Sequence, residues 1–173
     1  MTRPSAGRQV LVAGVFLAAS AAVAFLGSLA SIPNTDGGWY EEAAKVPWSP
    51  PNWLFGPAWS LLYVMIAVAG FLIWRAGATD TAAQNRARGV LTIFAVQMVL
   101  NLAWTPVFFA GYPIVGKPAW WAGIVIIIAL IIAVITLIIT ASRHSKTAAW
   151  MLVPYAGWLL FAATLNAGII ALN

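Results

Sequence analysis

Residues 119–140 read AWWAGIVIIIALIIAVITLIIT, 22 residues without a single charge. A helix needs about 20 mostly apolar residues to cross the hydrocarbon layer of a bilayer. Inside that layer no water is available to the backbone, so its hydrogen bonds must close within the segment. The stretch therefore predicts a transmembrane helix. The same test finds four more, at about 9–31, 54–75, 88–109 and 147–171. No alternating pattern of the kind a membrane barrel needs is present. The predicted fold class is an all-α membrane protein: one domain over 1–173, built as a five-helix transmembrane bundle, with a long aromatic loop at 32–53. Branched aliphatics surround the whole fourth helix, which predicts a lipid-facing position for it.

Composition agrees. The chain is 62% hydrophobic and 8% charged, with a mean hydropathy of +0.90, whereas a soluble domain carries about 25% charged residues. A water-soluble core of this size could not hide so much apolar surface, so lipid must be the solvent for most side chains. The first apolar run follows Arg3 and Arg8 and extends too far for a signal peptide. There are no cysteines, which excludes disulfides and thiol chemistry. The net charge is +5, but the basic residues lie in short segments between apolar runs. That is the pattern of topology signals, not of a nucleic-acid partner.

Those signals are one-sided. With five spans, the N-terminus shares a side with the second-to-third and fourth-to-fifth loops. That side holds Arg3, Arg8, Arg75, Arg86, Arg88, Arg143 and Lys146, and the other holds only Lys45 and Lys117. The bias predicts a cytoplasmic N-terminus and an external C-terminus, with the aromatic loop outside. The predicted location is integral membrane, in a bacterial plasma membrane.

Ten tryptophans punctuate the chain, six of them between Trp39 and Trp104. Indoles gather where a flat apolar ligand is gripped or where a helix end meets the headgroups. Trp120, Trp121 and Trp150 fall at predicted helix ends and read as interfacial anchors. In the long loop, Pro33, Pro47, Pro50 and Pro51 exclude a long helix, while Trp39, Trp48 and Trp53 suggest that it packs back onto the bundle. In the third span, Gln97, Asn101, Trp104, Thr105 and Phe108 share one helical face. They serve either as interhelical polar glue or as a cavity wall. In the fifth, Trp158, Ala162 and Leu165 share a face, the small alanine leaving a slot beside the indole, and Pro154 predicts a kink. Trp59 and Tyr63 stand one turn apart in the second. His144 lies in a basic loop and reads as solvated. Asp36, Glu41 and Glu42 have no His or Cys beside them, so no metal site is expected. No span holds a central ionisable group, which argues against a pump or proton relay.

Several stretches resemble the translocator protein family, also known as the tryptophan-rich sensory proteins or peripheral benzodiazepine receptors. They are Trp39-Tyr40, Pro47-Trp48-Ser49-Pro50-Pro51-Asn52-Trp53, Pro57-Ala58-Trp59, Asn101 to Phe109, and Val153 to Trp158 followed by Leu165-Asn166. They follow one another in the family's order across most of the chain after the first span. The resemblance implies a five-helix bundle, often a homodimer, whose pocket opens towards the first loop. It implies no cofactor. The ligands it implies are tetrapyrroles such as protoporphyrin IX, sterols in animal members and benzodiazepine-type drugs. It carries pocket roles onto Trp48, Asn101 and Ala162, and onto Trp39 and Trp158 as the indoles of a light-dependent porphyrin breakdown. Trp104 joins the expected ligand-binding set from its place on the third-span face. The sterol-recognition pattern that animal members carry at the end of the fifth helix is missing from Ile169 to Asn173.

The expectation is a membrane receptor or sensor for porphyrins and related flat hydrophobic molecules. The alternatives are a light-dependent porphyrin-degrading enzyme and a transporter.

Overall fold

The computed structural model describes residues 4–35, 37–78 and 81–173; Arg3 and Asp36 lie outside them. The described residues form α1 (Ala6–Thr35), a single turn α2 (Trp39–Glu42), a 3-10 turn (Asn52–Leu54), α3 (Phe55–Gly77) and α4 (Thr81–Thr105). A π-helical turn (Pro106–Ala110), a short α5 (Tyr112–Val115), α6 (Pro118–Ser142) and α7 (Lys146–Leu172) complete the chain. Five of these stretches are long and apolar enough to cross a membrane, from 25 to 30 residues each. At 1.5 Å per residue even the shortest is about 37 Å long, more than the roughly 30 Å of hydrocarbon.

The helices outrun the sequence-based boundaries at both ends. α1 continues through Pro33 to Thr35, so the predicted loop begins later than residue 32. Its last turn is supplied by side-chain donors, Asn34 Nδ2 to the Ala30 carbonyl and Thr35 Oγ1 to the Ile32 carbonyl. α7 runs through Pro154 as one continuous helix. The turn before it is tight: Ser145 caps the helix by accepting from the Ala148 amide. His144 is not simply solvated, since its Nδ1 donates to the Thr140 carbonyl at 3.1 Å.

α1 packs on α3 and α4, α3 on α4 and α7, α4 on α6, and α6 on α7. α6 corrects the expectation of an all-round lipid face. Gly123, Ile127, Leu130, Val134, Leu137 and Ala141 are buried at spacings of three and four, while Val125, Ile128, Ile132, Ile135 and Ile139 remain exposed. In lipid both faces of a helix are apolar, so hydropathy does not tell them apart. Trp120 is a second correction. Only 2% exposed, it stacks on Tyr112 with centroids 4.4 Å apart and is no interfacial anchor. Trp121 and Trp150 are exposed, as anchors would be.

Close approach fixes the centre of the bundle. An added Cβ at Gly70 of α3 would come within 2.6 Å of Phe16 and 2.8 Å of Phe94. Phe16 and Phe94 meet edge to face, 5.4 Å apart, locking α1, α3 and α4 together at that level.

Candidate functional site: an aromatic cavity beneath the long loop

Above the Gly70 level the helices part and enclose a cavity of about 700 Å³. Each wall has a local cause. Pro106 has no amide hydrogen and cannot continue the α4 ladder. The chain widens into the π-helical turn, closed by the Gly111 amide on the Pro106 carbonyl at 2.9 Å. Trp39 Nε1 donates to the Phe109 carbonyl of this turn at 2.9 Å. Phe108 and Phe109 both reach the cavity, and Phe108 stacks on Trp104 with an interplanar angle of 9°. From α3, Phe55, Trp59 and Tyr63 line the second wall, with Trp59 and Tyr63 stacked 5.3 Å apart. From α7 come Trp158, Ala162, Leu165 and Asn166. Trp158 sits edge-on to Phe55 and Trp59, at 5.9 and 6.3 Å.

A hydrogen-bonded chain anchors this wall. Tyr63, whose side of the cavity is its floor, donates to Asn101 Oδ1 at 2.7 Å. Asn101 Nδ2 donates to the Tyr155 hydroxyl at 2.7 Å, and Tyr155 donates to Gln97 Oε1 at 3.1 Å. All three donors are used once and in one direction, so α3, α4 and α7 are tied at one level. Gln97 and Asn101 are almost wholly buried. A buried polar group without a partner is costly, and this hydrogen-bonded chain leaves only Gln97 Nε2 of its own without one, while Trp104 Nε1, Trp158 Nε1 and Asn166 Oδ1 of the cavity lining also lack a partner.

The loop is fastened rather than loose. The Ala44 amide donates to Asn173 Oδ1 and the Ala44 carbonyl accepts from Asn173 Nδ2, both at 3.0 Å. Lys117 Nζ donates to the Asn173 carbonyl. Val46 lies so close to Gly168 that an added Cβ there would meet its Cγ1 at 2.4 Å. Trp48 Nε1 donates to Thr164 Oγ1 at 3.2 Å. Lys45 Nζ is held by the Glu41 and Ala43 carbonyls and lies 5.0 Å from the Tyr40 ring centroid. Burial raises the Tyr40 phenol above its ordinary pKa, and a hydrogen bond with Ser49 offsets part of the rise.

The residues singled out in the sequence divide as follows. Trp104, Trp158 and Ala162 line the cavity. Asn101 lies one layer behind it, bonded to the lining Tyr63. Trp39 is outside the lining, packed on Phe108, Phe109, Tyr112 and Trp120. Trp48 is 57% exposed on the outer side of α7. Among the described residues, Trp39 and Trp158 share no aromatic neighbour. Sequence reading missed the contribution of α1, where Ser28, Ser31 and Thr35 line the cavity. Their spacing of three and four was a readable signal, a hydroxyl stripe on an otherwise apolar helix. No charged residue lines the cavity, and no cluster of three His, Cys, Asp or Glu suited to a metal exists among the described residues.

Comparison with known proteins gives the arrangement a context. A tryptophan-rich protein TspO of Archaeoglobus fulgidus is 40% identical over 152 residues, covering 88% of this chain and 90% of the relative. A second protein of that name, from Chlorobaculum tepidum, is 33% identical over 166 residues, 96% of this chain and 98% of the relative. The human translocator protein is 32% identical over 139 residues, 74% of this chain and 70% of its own. The model of the TspO/MBR family matches residues 16–172, from the first span to the end of the last. A match of that reach, laid over five helices of membrane-crossing length, makes this chain an integral membrane protein of the TspO/MBR family.

Proposed function

We propose that this protein is a membrane receptor that binds porphyrin-like and other flat hydrophobic molecules in the cavity, with a sensing role in tetrapyrrole balance. The observation that carries the reading is the wall. Trp59, Trp104, Phe108 and Trp158 surround about 700 Å³, within the range of about 300–1,000 Å³ usual for small-molecule sites. Aromatic pairs add about 0.5–1.5 kcal/mol each beyond area burial, so a planar conjugated ring gains most from such a wall. The family membership and the translocator name of the human relative support a role in handling small molecules at the membrane.

Quenching of tryptophan fluorescence by protoporphyrin IX in detergent tests the reading, because the reporters line the site. Saturable quenching is expected in the parent. Ala162→Phe fills the space beside Trp158 and costs about 1–2 kcal/mol by overpacking, which weakens affinity roughly five- to thirtyfold. Absence of saturable quenching sinks the porphyrin reading; unchanged affinity in Ala162→Phe removes the α7 face from it.

The orientation belongs to the same proposal: N-terminus in the cytoplasm, cavity in the outer half of the membrane. Among the described residues, the N-terminal end carries Arg8, Arg75, Arg86, Arg88, Arg143 and Lys146, whereas the opposite end carries Lys45 and Lys117. A phosphatase fused to the C-terminus, active only outside the cytoplasm, is expected to be active. An inactive fusion reverses the assignment.

A further inference from the structure

The cavity has an exposed side. Phe25 and Ile32 of α1 line it and are 62% and 54% exposed; Trp53, just before α3, lines it and is 71% exposed. Gly56 and Ser60 of α3 also line it from exposed positions. Every lining residue of α4 and α7 is buried or half-buried. The opening is therefore between α1 and the start of α3. At its upper end the opening is bounded by a tie, Asn52 Nδ2 donating to the Thr35 carbonyl at 3.3 Å. At Gly70 an added Cβ would strike Phe16, while at Gly56 it would meet nothing within 4 Å. From Phe25 to Ile32 the rim rises about 10 Å along α1. The slot thus opens on the outer face of a helix long and apolar enough to cross a membrane.

Its polar edge suits that setting. Ser28 and Ser60 donate to the carbonyls of Phe25 and Gly56 in their own helices, at 2.7 and 2.8 Å. They are satisfied in lipid, yet each oxygen can still accept a hydrogen bond. Among the described residues no charge lines the cavity, so the carboxylates of a guest find no counter-ion inside and stay towards the mouth, since burying them unpaired is costly. The opposite route, past the loop, is covered where Ala44, Val46 and Trp48 are held on α7 and Asn173.

We propose that the cavity is filled sideways from the bilayer, through the slot between α1 and α3, by amphiphiles with a flat apolar body and one polar edge. This rests on the reading of the cavity as a ligand site.

The protein in lipid nanodiscs is mixed with protoporphyrin IX dimethyl ester already dissolved in empty nanodiscs, and loading is followed by the porphyrin's absorbance. Ser60→Trp narrows the slot and removes only a hydroxyl bonded within its own helix. It is expected to slow loading at least tenfold. Leu61→Trp, an exposed neighbour outside the lining, is expected to load at the parent rate. Loading of Ser60→Trp at the parent rate overturns the slot and leaves the porphyrin reading intact. Should the parent take up no porphyrin ester, that reading falls, and the slot is judged by photolabelling with a diazirine-bearing fatty alcohol dissolved in the bilayer. Adducts at 104–109 and 158–166 that vanish in Ser60→Trp sustain the slot. Adducts confined to outward-facing residues, or unchanged by Ser60→Trp, overturn it.

Discussion

α7 and α1 are of similar length but are held differently. α7 buries ten of its 27 residues, among them Leu152, Tyr155 and Leu159. α1 buries three of its 30: Ser20, Val23 and Gly27. Both contribute walls to one cavity, yet one is set into the bundle and the other leans on it. In a membrane this difference is not a matter of hydrophobicity, because lipid is as apolar as leucine; helices associate through close packing and hydrogen bonds. α7 has both, with the Tyr155–Asn101 pair at its centre. α1 touches α3 and α4 closely at Phe16 and Gly27, and more than half of its residues are exposed. The firm wall contributes Trp158 with the small Ala162 beside it, and the loosely held wall contributes Phe25 and the hydroxyls of Ser28, Ser31 and Thr35.

Mutations can break this contrast. The largest effect is expected at Leu159→Ala, where a 1% exposed side chain leaves a cavity costing about 2–5 kcal/mol. The matched change Leu26→Ala on α1, 48% exposed, is expected within about 0.5 kcal/mol of the parent. Unfolding in mixed micelles against added SDS reads both. Equal losses at the two positions would show that α1 is held as firmly as α7. Between these extremes lies Asn101→Ala. It strands the hydroxyl of Tyr63 and removes the donor to Tyr155, and a buried group left unpaired costs about 1–3 kcal/mol. In the same titration a double change with Tyr155→Phe is expected to cost less than the sum, because the two residues share one network. Strict additivity would mean that the chain is not coupled.

The spans were legible because hydropathy over about 20 residues is a strong signal, and all five apolar stretches became helices. Rotation about each axis was not. Residues 119–140 look alike on all sides, and only packing selects the Ile127–Leu130–Val134–Leu137 stripe. The Trp104–Phe108 face of α4 and the Trp158–Ala162 face of α7 were readable, since a polar or small residue interrupts the apolar pattern there. The π-helical turn was not: Pro106 signals a break, but its repair depends on the Trp39 indole reaching the Phe109 carbonyl 70 residues away. Indoles with different surroundings also look the same in a sequence. Trp120 is packed in the core and Trp121 beside it is exposed.

The hold of the loop on α7 has a consequence for biosynthesis. The Ala44–Asn173 bonds join positions 129 residues apart, and the Trp48–Thr164 bond spans 116. Ribosomes add about 5–20 residues per second, so some 6–25 seconds separate the emergence of these partners. At the start of that interval only the first span is made, and the second, third and fourth follow while the fastening has nothing to grip. The half-built vestibule stands open, and a hydrophobic molecule present in the membrane at that moment can be enclosed as the last helix arrives.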